Sequence, residues 1–141
     1  DVVVVYDNPL ASQQSVRLLR PEPDIRVAAV CLNVGETLHA VRQVLPAVLV
    51  LELASSYPTG SALLRSIALE YPELCVVVVS SHANEVDVFR WTGAAGFVVD
   101  DLAARYLATC IRNVQQGASW IEYTTQQRRM STPAGGIPTA R

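Results

Sequence analysis

The stretch Val48-Leu49-Val50-Leu51-Glu52 decides how this chain folds. An unbroken apolar run leaves no polar side for water, so it fits a strand buried on both faces of a sheet. The acid that follows falls at the carboxyl end of that strand. Other runs end in the same way. Val2-Val3-Val4-Val5 leads into Tyr6 and Asp7, Val76-Val77-Val78-Val79 into Ser80, and Phe97-Val98-Val99 into Asp100. No Lys or Arg stands at any of these strand ends.

Amphipathic segments separate the runs. Asn8-Pro9 predicts a helix start, with Asn8 as cap and Pro9 as first helical residue. That helix ends near Arg20, before the turn Pro21-Glu22-Pro23-Asp24. A second strand is expected over Ile25–Leu32. A helix from Glu36 then buries Leu38, Val41 and Leu45 and stops before Pro46. After the third strand, Ser61–Tyr71 places Leu64, Ile67, Ala68 and Tyr71 on one helical face, and Pro72 closes it. Leu74–Val79 is the fourth strand, Glu85–Thr92 a short helix ended by Gly93, and Gly96–Val99 the fifth strand. Leu102–Gln116 is the last helix, with Leu107, Ile111 and Val114 inward and Gly117 as terminator. This alternation implies an α/β fold: a doubly wound, five-stranded parallel sheet of flavodoxin-like order 2-1-3-4-5. Ligands of such sheets bind beyond the carboxyl ends of the strands, at the reversal of strand order, which puts Asp7 and Glu52 beside the crevice.

With 141 residues, half of them apolar and 17% charged, the chain is expected to form one globular domain. The net charge is −2 and the basic residues are scattered, apart from Arg128-Arg129, so contact with DNA would need another segment. Cys31, Cys75 and Cys110 match no zinc spacing and read as buried thiols of a reducing compartment. No apolar run has membrane-spanning length and no signal peptide precedes the first strand, so a cytoplasmic location is expected.

Val5-Tyr6-Asp7-Asn8-Pro9-Leu10 resembles the start of a response-regulator receiver domain. Gly93-Ala94-Ala95-Gly96-Phe97-Val98-Val99 is similar to the fifth-strand segment of the NarL/LuxR-type branch, and Gly117-Ala118-Ser119-Trp120 to the segment that closes its last helix. The resemblance covers residues 1–121. Residues 122–141, with Ser131-Thr132-Pro133-Ala134-Gly135-Gly136, then read as a linker toward a helix-turn-helix output domain that this sequence does not contain.

In that family two acids end strand 1 and help hold magnesium. An aspartate ending strand 3 takes a phosphoryl group, a Ser or Thr ends strand 4, and a Lys follows strand 5. Carried over by position, the resemblance makes Asp7 the second acid, with Tyr6 replacing the first. It puts Glu52 in place of the phosphoacceptor, keeps the hydroxyl as Ser80, replaces the lysine by Asp100, and keeps Phe97 as the switch aromatic.

These replacements work against phosphoryl transfer, which needs a metal and a cation to stabilise charge. Tyr6 removes a carboxylate, Glu52 extends the acceptor by a methylene, and Asp100 reverses the sign of the missing lysine. The expectation is an atypical, phosphorylation-independent receiver with no catalytic residue, metal or cofactor. It would regulate transcription as a homodimer, reaching DNA only through an output domain, and the resemblance permits control by a small-molecule ligand in place of phosphate. Two alternatives stand beside it: a stand-alone small-molecule-binding module over Tyr6, Glu52 and Ser80, and a receiver held active by Glu52 as a phosphoaspartate mimic. The mimic is disfavoured because nothing cationic waits for its carboxylate. Val88 and Trp91, three residues apart on the short helix, mark a candidate partner surface. His82 reads as a solvated loop residue, His39 as facing water, and Trp120 as packing on the end of the last helix.

Overall fold

A computed structural model describes residues 1–6, 14–53 and 57–124, with the backbone alone for 57–61. Asp7, the Asn8-Pro9 helix start, Arg128-Arg129 and the 131–136 stretch lie outside the described residues. The elements are β1 (Val2–Tyr6), α1 (Gln14–Leu19), β2 (Val27–Cys31), α2 (Val34–Val44), β3 (Val48–Leu53), α3 (Tyr57–Glu70), β4 (Cys75–Ser80), α4 (Val86–Thr92), β5 (Gly96–Val99), α5 (Ala103–Gln115) and β6 (Ile121–Tyr123). Short 3-10 turns, Ala83–Glu85 and Asp100–Leu102, lead into α4 and α5.

All strand pairs are parallel, in the order β2-β1-β3-β4-β5-β6. The expected doubly wound order is present, and β6 adds a sixth strand alongside β5. Its three residues are too few to show a period, and Glu122 at its centre interrupts the apolar pattern. The strand ends at Tyr123, past the Ile121 at which the receiver-like segment was expected to close.

Side-chain alternation along each strand builds two cores, one per face. Val2, Val4, Val48, Val50, Val77, Val79 and Val98 pack under α1 and α5 with Val16, Leu19, Leu107, Ile111 and Val114. Val3, Val5, Leu49, Leu51, Val76, Val78 and Phe97 pack under α2, α3 and α4 with Val41, Leu64, Ile67 and Phe89. This double burial is why the strands read as continuous apolar runs.

Local chemistry sets the helix ends. α2 begins two residues before the expected Glu36, because Asn33 caps it: its Oδ1 accepts from the Glu36 N–H at 2.8 Å. Glu36 reaches back and accepts from the Leu32 N–H at 2.9 Å, a reciprocal cap. Leu45, expected inward, is 74% exposed, because it ends α2 in the left-handed region at φ 52° and so turns off the buried stripe. Ala68 is likewise exposed, whereas Leu63, Leu64 and Ile67 form the buried stripe of α3. Gly96 has a steric reason to be glycine. A Cβ there would come within 2.7 Å of Cys110 Sγ, so α5 lies against β5 closer than any larger residue allows.

Candidate functional site

Tyr6 and Glu52 are register partners on β1 and β3, and both project to the α1 face. Glu52 lies within β3, one residue before its end. Its carboxylate does not stand free at the crevice. Oε1 accepts from the Ser15 backbone N–H at 2.9 Å and from the Ser15 hydroxyl. The Tyr6 hydroxyl accepts from the Val16 N–H at 3.2 Å. Gln14 Nε2 donates to the backbone oxygen of Asp100 at 3.3 Å. Three successive residues of α1 thus bind, in turn, the 3-10 turn that follows β5, the end of β3 and the end of β1.

The first amides of a helix lack intrahelical acceptors, which makes them ready partners for an oxygen. Glu52 and Tyr6 supply those oxygens from the sheet. Ser15 is fully buried, so its hydroxyl and amide depend on protein acceptors. Burial pushes the Tyr6 phenol above its ordinary value, the Val16 N–H pulls it back, and the Glu52 charge pushes it up again. Tyr6 is therefore a neutral phenol at physiological pH.

Asp7, which the resemblance makes an acid of the magnesium site, lies outside the described residues, and the remaining donors of the crevice are few. A hard cation wants several carboxylate or carbonyl oxygens. Among the described residues Tyr6 offers a neutral phenol and Glu52 has an oxygen committed to Ser15. Among the described residues no group of His, Cys, Asp and Glu comes together to hold a metal.

Ser80 and Phe97 fall on the opposite face. By alternation Ser80 follows Val76 and Val78 toward α2–α4, with Leu53 as its register partner on β3. Ser80 is buried, and its Oγ accepts from the His82 N–H at 3.0 Å, with His82 Nδ1 at 3.4 Å. A hydroxyl so placed closes the β4 turn and is not presented to a substrate. His82 is half-buried by this contact, not fully solvated, while His39 is exposed as expected. Phe97 has no exposed surface and packs on Phe89 of α4, ring centroids 6.0 Å apart. Trp91 is 80% exposed and Val88 half-buried.

Trp120 departs from expectation. It joins the core under α4 and not the end of α5. The Arg90 guanidinium lies 5.5 Å from its ring centroid, and its Nε1 donates to Glu122 Oε1 at 3.2 Å. On the other face Tyr123 stacks on Tyr106 of α5, with centroids 4.2 Å apart. α5 therefore packs on β6 through Tyr123, while α4 holds Trp120, the residue just before the strand. Cys31 and Cys110 are buried and Cys75 half-buried, all as free thiols.

Sequence reasoning found Tyr6 and Glu52 but missed Gln14, Ser15 and Val16. A signal was present: Ser15 stands four residues before Leu19, on the inward stripe of its helix. A serine there needs an acceptor.

No family model matches the chain. It is 26% identical over 122 residues to the transcriptional regulatory protein DegU of Brevibacillus brevis, covering 85% of this chain and 52% of that protein. It is 26% identical over 123 residues to the DNA-binding transcriptional activator DevR/DosR of Mycobacterium tuberculosis, covering 86% of this chain and 57% of that protein. The chain spans about half the length of these curated relatives. Among solved structures, a LuxR-family two-component response regulator from an Aurantimonas strain superposes with a TM-score of 0.74 at 21% identity, over 84% of this chain and 86% of that one. No helix among the described residues is long and apolar enough to cross a membrane. The proteins this chain is similar to include response regulators of the NarL/LuxR type, and the chain has the fold of their receiver domain.

Proposed function

We propose that this chain is the regulatory receiver domain of a transcriptional regulator and that it works without phosphoryl transfer. One observation carries the reading: the carboxylate in the acceptor position, Glu52, is engaged by the Ser15 amide and hydroxyl. An acceptor oxygen must be free to attack in line and must have cations nearby to stabilise the transferred charge. One oxygen of Glu52 is held by Ser15, and Asp100 stands where a lysine would answer the phosphoryl group. The same contact argues against a phosphoaspartate mimic, because the charge is met by a helix start on the α1 face and not by Ser80. Ser80 is buried against its own loop, where its hydroxyl closes the β4 turn, which speaks for a structural role over a catalytic one. Like the DNA-binding activator DevR/DosR, to which the chain is similar, the whole protein would act at DNA, here through a separate output domain, with the receiver domain as a homodimer.

The test is treatment with acetyl phosphate and magnesium, followed by intact-mass measurement. The expected result is no added phosphoryl group on the natural chain. The variant Tyr6→Asp/Glu52→Asp/Asp100→Lys, which restores the family's residue types, is expected to gain one. A phosphoryl group on the natural chain overturns the reading.

A further inference from the structure

α1 is anchored at both ends, to different parts of the molecule. At its start, Gln14, Ser15 and Val16 bind, in turn, the 3-10 turn after β5, the end of β3 and the end of β1. Beyond its end, the turn holding Glu22 and Asp24 is gripped by α5. Arg112 donates to Asp24 through Nε at 2.9 Å and through Nη2 at 2.8 Å, and Nη2 also reaches Glu22. The arginine holds the Asp24 carboxyl below its ordinary value. Between the two anchors, Val16 and Leu19 are buried in the same core as Leu107 and Ile111 of α5. Close-packed contacts of this kind transmit small shifts and do not absorb them.

The other route out of the crevice is linked differently, without a hydrogen bond from Ser80 to α4 among the described residues. Ser80 bonds within its own loop, and Phe97 meets α4 through apolar contact with Phe89. Ser80 and Glu52 lie on opposite faces of the sheet.

We propose that α1 couples the crevice to α5, so that a change at the Glu52 carboxylate moves the α1–α5 face while α4 stays in place. This rests on the reading of Glu52 as a non-phosphorylated carboxylate with one oxygen held by Ser15. An effector that drew Glu52 away from Ser15, by its own positive charge or hydrogen-bond donors, would release the start of α1 and with it the α5 surface.

The test is amide hydrogen exchange on the natural chain and on Glu52→Ala and Ser80→Ala, with α2 and α3 as internal references. In Glu52→Ala, exchange is expected to rise about fivefold or more across both α1 and α5 relative to the references, with α4 unchanged. Ser80→Ala is expected to leave α5 at the natural rate. Acceleration confined to α1, equal acceleration of every helix, or an equal α5 response to Ser80→Ala overturns the coupling. Should Glu52→Ala not fold, Glu52→Gln keeps an acceptor oxygen and is expected to give the same pattern at lower amplitude. Intact mass of the natural chain after acetyl phosphate separates the two ideas. A phosphoryl gain defeats the proposed function, whereas no gain with an unmoved α5 defeats only the coupling.

Discussion

The two faces of the sheet solve the same problem by different chemistry. On the α1–α5 face the strand ends carry Tyr6 and Glu52, and hydrogen bonds to successive α1 residues tie them down. On the α2–α4 face the strand ends carry Ser80 and Phe97, closed by a loop contact and an aromatic pair. The first face has lost the residue types that the receiver resemblance requires, and the second has kept them. A crevice whose residue types have changed still has to satisfy the polar groups around it. Here the substituted side chains do so themselves, bridging sheet to helix. Change on one face has been compensated on that face, leaving the other intact.

The sharpest way to break this contrast is to empty the apolar side. Phe97→Ala removes a fully buried ring and is expected to cost about 3–5 kcal/mol, read from the urea unfolding midpoint. A cost well below that would mean that the α4 side is loosely packed. Next is the polar side. Glu52→Ala strands the buried Ser15 donors and should cost about 1–3 kcal/mol. Ser80→Ala, losing a single loop hydrogen bond, should cost about 1 kcal/mol or less by the same measurement. Equal losses for Glu52 and Ser80 would erase the distinction.

A pH titration probes the α1–α5 core independently. Burial pushes the Cys110 thiol from 9.0 up to about 12. Because its folded value lies above its unfolded one, the folded state holds the proton more tightly. Its contribution is therefore complete below pH 9 and is lost as pH rises toward 12. Thermal melts should fall across that alkaline window, and Cys110→Ala should flatten the fall. In the native state at pH 8, alkylation should spare Cys110 while Cys75 reacts first. The smallest effect belongs to the surface. Trp91→Ala should change stability by no more than about 0.5 kcal/mol, because the ring is largely in water. If Trp91 lies in a partner surface, light scattering at high concentration should nevertheless show less dimer than for the natural chain.

The sheet was legible in the sequence because burial on both faces leaves a coarse mark: long valine runs, each ended by a polar residue. A sequence does not display strand order, and the flavodoxin-like pattern is the one that best fits five βα units. Glu52 and Tyr6 stood out by position alone. Their partners did not. The bonds from Gln14, Ser15 and Val16 cross between distant segments and involve backbone amides, which look the same in every sequence. β6 escaped notice for a related reason. It is held by Arg90 over Trp120 and by Tyr106 against Tyr123, contacts that exist only once α4 and α5 are in place. Leu45 was misplaced because a hydrophobic letter at helical spacing says nothing of a backbone about to turn left-handed.

The direction of β6 sets where its end lies. α5 carries the polypeptide down to Gly117, at the amino edge of the sheet, and β6 carries it back up beside β5. Thr124 therefore emerges at the rim that holds Glu52, not at the floor of the molecule. Thr124 is buried at that rim, and β4 and β5 stand between it and Glu52, so the end of β6 shares the level of the crevice without lining it.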